Sequence, residues 1–326
     1  MIHRLIFEGE VLEIDNHKIL KNKKLFFKLR KIFKILITKI IRNIYRYFQR
    51  KIIRPTVRER LKYFESFLKR KNKIKHSEVA SELRETSFVY IENLLKDDEI
   101  KNLKYKTISN NNLNEIYLSV KNFNYNKPPL NAKMGYVESY DLFNFNEVFK
   151  AASNPNLLAI LDSYFKCEYF FDWAWAWWSF SSNENNYGPQ NFHRDYENLN
   201  FIKVFIYLTD VENETDGAHE IIKGSHKINK LYTIRRYSDA EVSDAFSKNN
   251  QVKIFGKKGT SFIANTFAIH KGNLPTSKDR LVLSLLYSVI PSRRSPKIPF
   301  LKIETFSKEV QKNIANNKKK FSLFFE

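Results

Sequence analysis

"QNFHRDYENLNFIKVFIYLTDV", residues 190–211, sets His193 and Asp195 two apart just ahead of a strongly apolar, β-branched run. Alternating and β-branched runs of this length read as strands. On a strand, residues i and i+2 point to the same face. The spacing therefore aims an imidazole and a carboxylate at one point, with Arg194 facing away. Two such ligands do not make a stable metal site, so a third must come from elsewhere in the chain.

The seven histidines are His3, His17, His76, His193, His219, His226 and His270. The first three lie in or beside a basic N-terminal region. His270 closes the apolar run "TSFIANTFAIH" (260–270), and ten residues later Arg280 opens "RLVLSLLYSVI" (280–290). The intervening "KGNLPTSKD" carries Gly272, Pro275 and Ser277, the composition of a turn. A strand, a turn and a second strand would bring His270 and Arg280 to one mouth of a barrel.

Further strands are expected in "EYFFDWAWAWWSF" (168–180), where Trp173, Trp175 and Trp177 alternate with Ala174 and Ala176, and in "HEIIKG" and "QVKIFG". Trp173, Trp175 and Trp177 are expected in a core or pocket wall, with substrate contact as the alternative. Helices are expected near "KDDEIKNLK", whose acids suit a helix N-terminus, and in "NPNLLAILDSYF", with Pro155 at its start. Short strands, with most helices ahead of them, predict a mainly-β fold with flanking helices: an antiparallel barrel or jelly roll rather than a parallel α/β sheet.

Charge is uneven. Residues 1–75 carry 23 Lys/Arg against 6 Asp/Glu, a net of +17 out of +21 for the chain. Within them "NKKLFFKLRKIFKILITKIIRNIYRYFQRKIIR" (22–54) spaces Leu25, Leu29, Ile32, Leu36, Ile40, Ile44 and Phe48 at helical intervals opposite a lysine- and arginine-rich side. It reads as one long basic helix ended by Pro55, with a second basic helix in 56–75. Three roles are open to this arm: packing on the main domain or a partner helix, peripheral association with an anionic membrane surface, and nucleic-acid binding. No nucleic-acid motif accompanies the charge, which counts against the last. "IFKILITKII" is too short and too charged to span a bilayer. The single cysteine, Cys167, excludes a disulfide within the chain and a thiolate zinc cluster, and fits a reducing compartment. Acids stand in the first twenty residues where a secretory signal needs an apolar stretch, so a cytoplasmic location is expected. The organisation expected is a basic helical arm over 1–79, a β domain over 80–295 and a basic tail over 296–326.

Two imidazoles and a carboxylate form the facial triad of non-heme Fe(II) oxygenases, which leaves three iron positions for co-substrate and O2. A nearby buried guanidinium binds a carboxylate in bidentate fashion, with better geometry than lysine. Together these describe iron plus a 2-oxo acid.

At this point the chain resembles the phytanoyl-CoA dioxygenase family. The matches run in order: "ETSFVYIENLLKDDEI", "FHRD", "FIYLTDV", "DGAHEIIKGSHK", "TFAIHKG" and Arg280 within "KDRLVLSLLYSV", together covering about residues 80–292. The resemblance implies a cupin-like double-stranded β-helix, Fe(II) held by His193, Asp195 and His270, and 2-oxoglutarate paired with Arg280. It also implies oxidation of an unactivated C–H of a small molecule, usually hydroxylation, with O2 consumed and succinate and CO2 released; desaturation, epimerisation or ring formation are the alternatives. The basic arm adds an anionic, lipid-linked or cell-envelope metabolite as the substrate to test. Asp195 counts against the halogenase-like variants, which carry a small residue there. The family often places a hydroxyl two residues after the arginine; here Val282 stands there, and Ser284, on the same strand face, is the substitute. Gln190, Lys203 and Thr266 are expected as polar lining, and His219 and His226 in supporting roles. The rival from another class is a non-catalytic β-barrel recruited to membranes or partners through its basic arm.

Overall fold

Strand runs covered on both faces make the centre of the fold. The computed structural model describes residues 2–7, 10–15, 54–68, 75–109 and 112–325. The chain divides into two compact units, Met1–Ile52 and Ile53–Glu326. In the first, β1 (Ile2–Phe7) and β2 (Glu10–Asp15) form an antiparallel hairpin. This hairpin was not expected from the sequence. The long basic helix expected over 22–54, and with it the apolar stripe whose role was left open, lies outside the described residues but for Arg54. Among the described residues no helix is long and apolar enough to cross a membrane.

The second unit contains the remaining strands: β3 (Phe88–Ile91), β4 (Leu113–Glu115), β5 (Val120–Phe123), β6 (Met134–Val137), β7 (Phe170–Ser179), β8 (Phe201–Tyr207), β9 (His219–Ile222), β10 (Gln251–Ile254), β11 (Ser261–Ala264), β12 (His270–Gly272) and β13 (Arg280–Ser288). Eight form an antiparallel sheet in the order β3-β11-β8-β13-β7-β6-β4-β5, and β10-β9-β12 form a smaller one. Its helices are α1 (Pro55–Leu68), α2 (Glu78–Thr86), α3 (Asp97–Ser109), α4 (Ser139–Leu142), α5 (Asn146–Ala152), α6 (Pro155–Phe165), α7 (Asp239–Ala245), α8 (Lys308–Ala315) and α9 (Lys318–Phe321). This is the mainly-β jelly roll with flanking helices that the strand pattern predicts.

Alternation assigns the faces. In β8, Ile202, Val204 and Ile206 join the core shared with α5, α6 and α8, whereas Phe205 and Tyr207 pack between the sheets against Ile221, Ile254 and Ala268. In β13, Leu281, Leu283, Leu285 and Tyr287 take the helix side, and Val282 faces inward. Every residue of β13 is buried, which is why it reads as an unbroken apolar run. Each large side chain so buried contributes about 1.5–3 kcal/mol.

The structure bears on three expectations. First, "TSFIANTFAIH" is not one strand. β11 ends at Ala264 in the large sheet, Asn265–Ala268 turn with an Ala268 N–H to Asn265 carbonyl bond of 2.9 Å, and β12 begins at His270 in the small sheet. An apolar run cannot reveal this switch, because both halves are buried. Second, Pro55 opens α1, where its missing N–H costs nothing; the helix expected to end there lies outside the described residues. Arg58, on α1, donates to the Asn198 carbonyl and lies 4.0 Å from the centre of the Phe267 ring; Lys62 donates to the Tyr164 hydroxyl at 3.2 Å. This stretch of the expected arm therefore packs on the β domain. Third, the stretch expected as a basic tail contributes to the main core, through Phe306, Val310, Ile314, Phe321, Phe324 and Phe325. The lysines that masked this pattern lie on the outer side of α8 and α9 or are paired, as Lys320 is to Asp162 at 3.1 Å.

Candidate metal centre

The segment bearing His193 is not a regular strand but a bridge beside the small sheet. His193 and His270 exchange both backbone hydrogen bonds, at 2.9 and 3.0 Å, and Phe192 bridges to Tyr237. Directly paired residues present their side chains on one face, and the two imidazole centres stand 4.3 Å apart. Asp195 is held by its own N–H to the Thr266 carbonyl at 2.8 Å. Its Oδ1 lies 3.7 Å from His193 Nε2 and its Oδ2 3.5 Å from His270 Nε2. One donor atom from each of the three residues falls within 4.8 Å of the others, and among the described residues this is the group so arranged for a metal.

The tautomers suit ligation. His193 Nδ1 faces the Asn191 carbonyl at 2.9 Å, and His270 Nδ1 faces the Ala268 carbonyl at 3.0 Å. A carbonyl only accepts, so both Nδ1 atoms carry the proton and both Nε2 lone pairs point toward Asp195. Burial and the neighbouring His270 lower the His193 pKa well below the ordinary range, against Asp195, which raises it; burial likewise lowers that of His270. Neutral imidazoles are the form a metal needs. Burial alone would raise the Asp195 pKa, but the Lys203 ammonium, 2.8 Å away, and both histidines hold it far below the carboxylate range.

Arg194 points to the opposite side, as the i, i+2 argument requires. It donates to the carbonyls of Leu231, Phe267, Ser225 and Lys230 at 2.6–3.0 Å. One buried guanidinium thus ties the ligand segment to two loops. Sequence reasoning gave Arg194 a direction but no purpose.

Arg280 is buried in the wall of the same cavity as the three residues, a space of about 260 Å³. It does not reach there through a hairpin: β12 and β13 belong to different sheets. Instead its guanidinium crosses the interior to Gly272, two residues after His270, where an added Cβ would stand 3.1 Å from Nη2. Nη2 donates to Ser179 Oγ at 3.1 Å, while Nε is buried without a partner. No carboxylate pairs with Arg280 among the described residues. Ser284 Oγ is also buried, unpartnered and in the cavity wall. A buried cation with an idle donor beside an idle hydroxyl fits a small carboxylate ligand.

Of the other expected residues, Gln190 and Lys203 line the cavity, and Thr266 is buried with its hydroxyl unpartnered. His226 donates from Nε2 to the Arg84 carbonyl at 3.0 Å and does not line the cavity. His219 is not remote: it stacks on His270 at 5.4 Å with Nε2 unpartnered and lines the cavity. Trp175 and Trp177 line it too, while Ala174, Ala176 and Trp178 face the core. Ser179 was missed although the 173-175-177 alternation extends to it. Arg236 and Tyr117, also in the wall, had no signal because both lie in irregular polar stretches.

No protein-family profile matches the chain, that of the resemblance included, and no curated protein matches it. Among solved structures, the chain is similar to HygX from Streptomyces hygroscopicus, with nickel and 2-oxoglutarate bound, at 13% identity and a TM-score of 0.48 over 67% of this chain and 89% of that one. It is similar to SnoK, a non-heme alpha ketoglutarate dependent carbocyclase from nogalamycin biosynthesis, at 15% identity and a TM-score of 0.48 over 65% and 83%. The corresponding values for SnoN, a non-heme alpha ketoglutarate dependent epimerase from nogalamycin biosynthesis, are 16%, 0.45, 64% and 81%. Likenesses at these values assign neither a substrate nor a reaction to this chain.

Proposed function

We propose that this chain is an Fe(II)/2-oxoglutarate-dependent dioxygenase of small molecules, with His193, Asp195 and His270 holding the iron. The observation that carries the reading is the convergence of two Nε2 lone pairs and one carboxylate on a single point, beside a buried guanidinium that lacks an anion. Arg280 would take the distal carboxylate of the oxo acid, with Ser179 fixing its plane and Ser284 offering a second donor. When bound, ferrous iron and the oxo acid supply activation of O2 for attack on an unactivated C–H, with succinate and CO2 as co-products.

The chain's own residues do the rest. The carbonyls of Asn191 and Ala268 hold both imidazoles in the Nδ1–H tautomer. Lys203 neutralises and orients Asp195 through Oδ2 and leaves Oδ1 open. Phe205, Phe262, Trp175 and Trp177 give the cavity an apolar wall.

Anaerobic titration with Fe(II) and 2-oxoglutarate tests this: a weak visible band near ~500 nm is expected of such a chelate. Folded protein without that band would favour a non-catalytic barrel. Asp195→Ala is expected to remove the band and substrate-dependent succinate formation together; wild-type turnover in that variant would exclude the ligand set.

A further inference from the structure

The charge of the cavity is unbalanced in a way the iron and oxo acid do not correct. Lys203, Arg236, Arg280 and Arg294 line it, against the carboxylates of Asp195 and Glu197 only. Lys203 is taken by Asp195 at 2.8 Å, and Arg294 by Glu197 at 2.6 Å. Arg280 is reserved for the oxo acid in the reading above, and a dication with a dianion adds no net charge. Arg236 remains. It is exposed, and no carboxylate pairs with it among the described residues, whereas its neighbour Arg235 is bound by Glu241 at 2.6 Å.

Arg236 does not stand alone at the mouth. It lines the same cavity wall as Tyr117, and the Tyr117 ring is a built feature. The Tyr117 N–H donates to Glu115 at 3.1 Å, its ring meets Tyr187 edge-on at 5.5 Å, and Gly188 lies so close that a Cβ there would come within 2.7 Å of the ring. Glu115, the carboxylate behind this lip, is occupied by Tyr117, by the Met134 N–H at 2.8 Å and by the Tyr187 hydroxyl. Counting it still leaves positive charge in excess. Trp175 and Trp177 offer apolar surface in the same cavity wall.

We propose that the substrate is an organic anion, its acidic group bound at the cavity mouth by Arg236 with the Tyr117 hydroxyl and its body lying against Trp175 and Trp177. A phosphate ester and a carboxylic acid share the chemistry Arg236 recognises, since a guanidinium pairs with either through two parallel N–H bonds. The inference rests on the oxygenase reading for what happens to the body, but its binding step is measurable without metal.

Calorimetric titration of the full chain, with and without anaerobic Fe(II) and 2-oxoglutarate, would use phenyl phosphate, benzoate and benzyl alcohol as probes at millimolar concentration. At least one anion is expected to bind about tenfold more tightly than the alcohol. Preference for phenyl phosphate would indicate a phosphate ester, and preference for benzoate a carboxylic acid. Arg236→Ala should erase the preference, and Arg236→Lys should restore part of it; Arg236 is exposed, so neither change threatens folding. Equal binding of anions and alcohol, no binding of either anion, or an unchanged preference in Arg236→Ala would each overturn the proposal. The oxygenase reading is scored separately by the visible band of wild-type protein without probe.

Discussion

Two residues outside the converging trio show how single side chains hold the site. Arg194 spends its guanidinium on backbone carbonyls of Phe267, Ser225, Lys230 and Leu231. Burial lowers its pKa to about 10, so it remains charged at neutral pH. Arg194→Met keeps volume but strands those carbonyls, and we expect a loss of about 3 kcal/mol in urea denaturation. His226 gives a pH signature. Burial pushes its pKa down to about 4 from an ordinary 6.5, with Glu59 opposing. The unfolded chain therefore binds the additional proton between those values. Stability from this group is fully present above about pH 6.5 and is lost as pH falls toward 4, at up to ~1.4 kcal/mol per pH unit. His226→Gln retains a donor for the Arg84 carbonyl and cannot protonate, so the drop in denaturation midpoint from pH 7 to pH 5 should shrink. An unchanged drop would place the acid sensitivity elsewhere.

At the scale of elements, β12 is three residues long yet positions both His270 and the floor on which Arg280 rests. Gly272→Ala would press a methyl group against Nη2, the mobile end of a long side chain. Stability should change little, while the KM for 2-oxoglutarate rises about three- to tenfold through the displaced guanidinium; equal KM values would show that Arg280 is not held from this side. The elements also show what the sequence disclosed. β7, β8 and β13 were legible because alternation or a continuous apolar run survives burial. Of the residues expected to bind iron or the oxo acid, only Arg280 and Ser284 lie on such a strand, while His193, Asp195 and His270 were read from spacing and lie on the bridged segment and on the short β12. The corner at 265–269 was not legible, since its buried Phe267, Ala268 and Ile269 continue the strand's composition. Nor was Arg236, whose proposed role rests on Tyr117 and on having no carboxylate partner among the described residues, neither of which is a local property of its surroundings.

For the whole second unit, the last residues complete the core rather than decorate it. Phe321, Phe324 and Phe325 pack with Phe149, Phe171 and Phe306 at ring distances of 4.9–5.7 Å. Removing a buried phenylalanine costs about 3–5 kcal/mol, and a whole domain is stable by only about 5–15 kcal/mol. A chain ending at 317 should therefore fail to fold cooperatively, as seen by loss of a single denaturation transition. A folded, cooperative 1–317 protein would contradict the assigned core.

The bridge between His193 and His270 has a kinetic consequence. Each residue's amide hydrogen is guarded by the other's carbonyl, so deuterium can enter at either position only when the latch joining them parts. A divalent ion gripping both rings would fasten that latch from the side-chain end. The labelling rates of these two amides thus form a built-in gauge of occupancy, readable before any product is known.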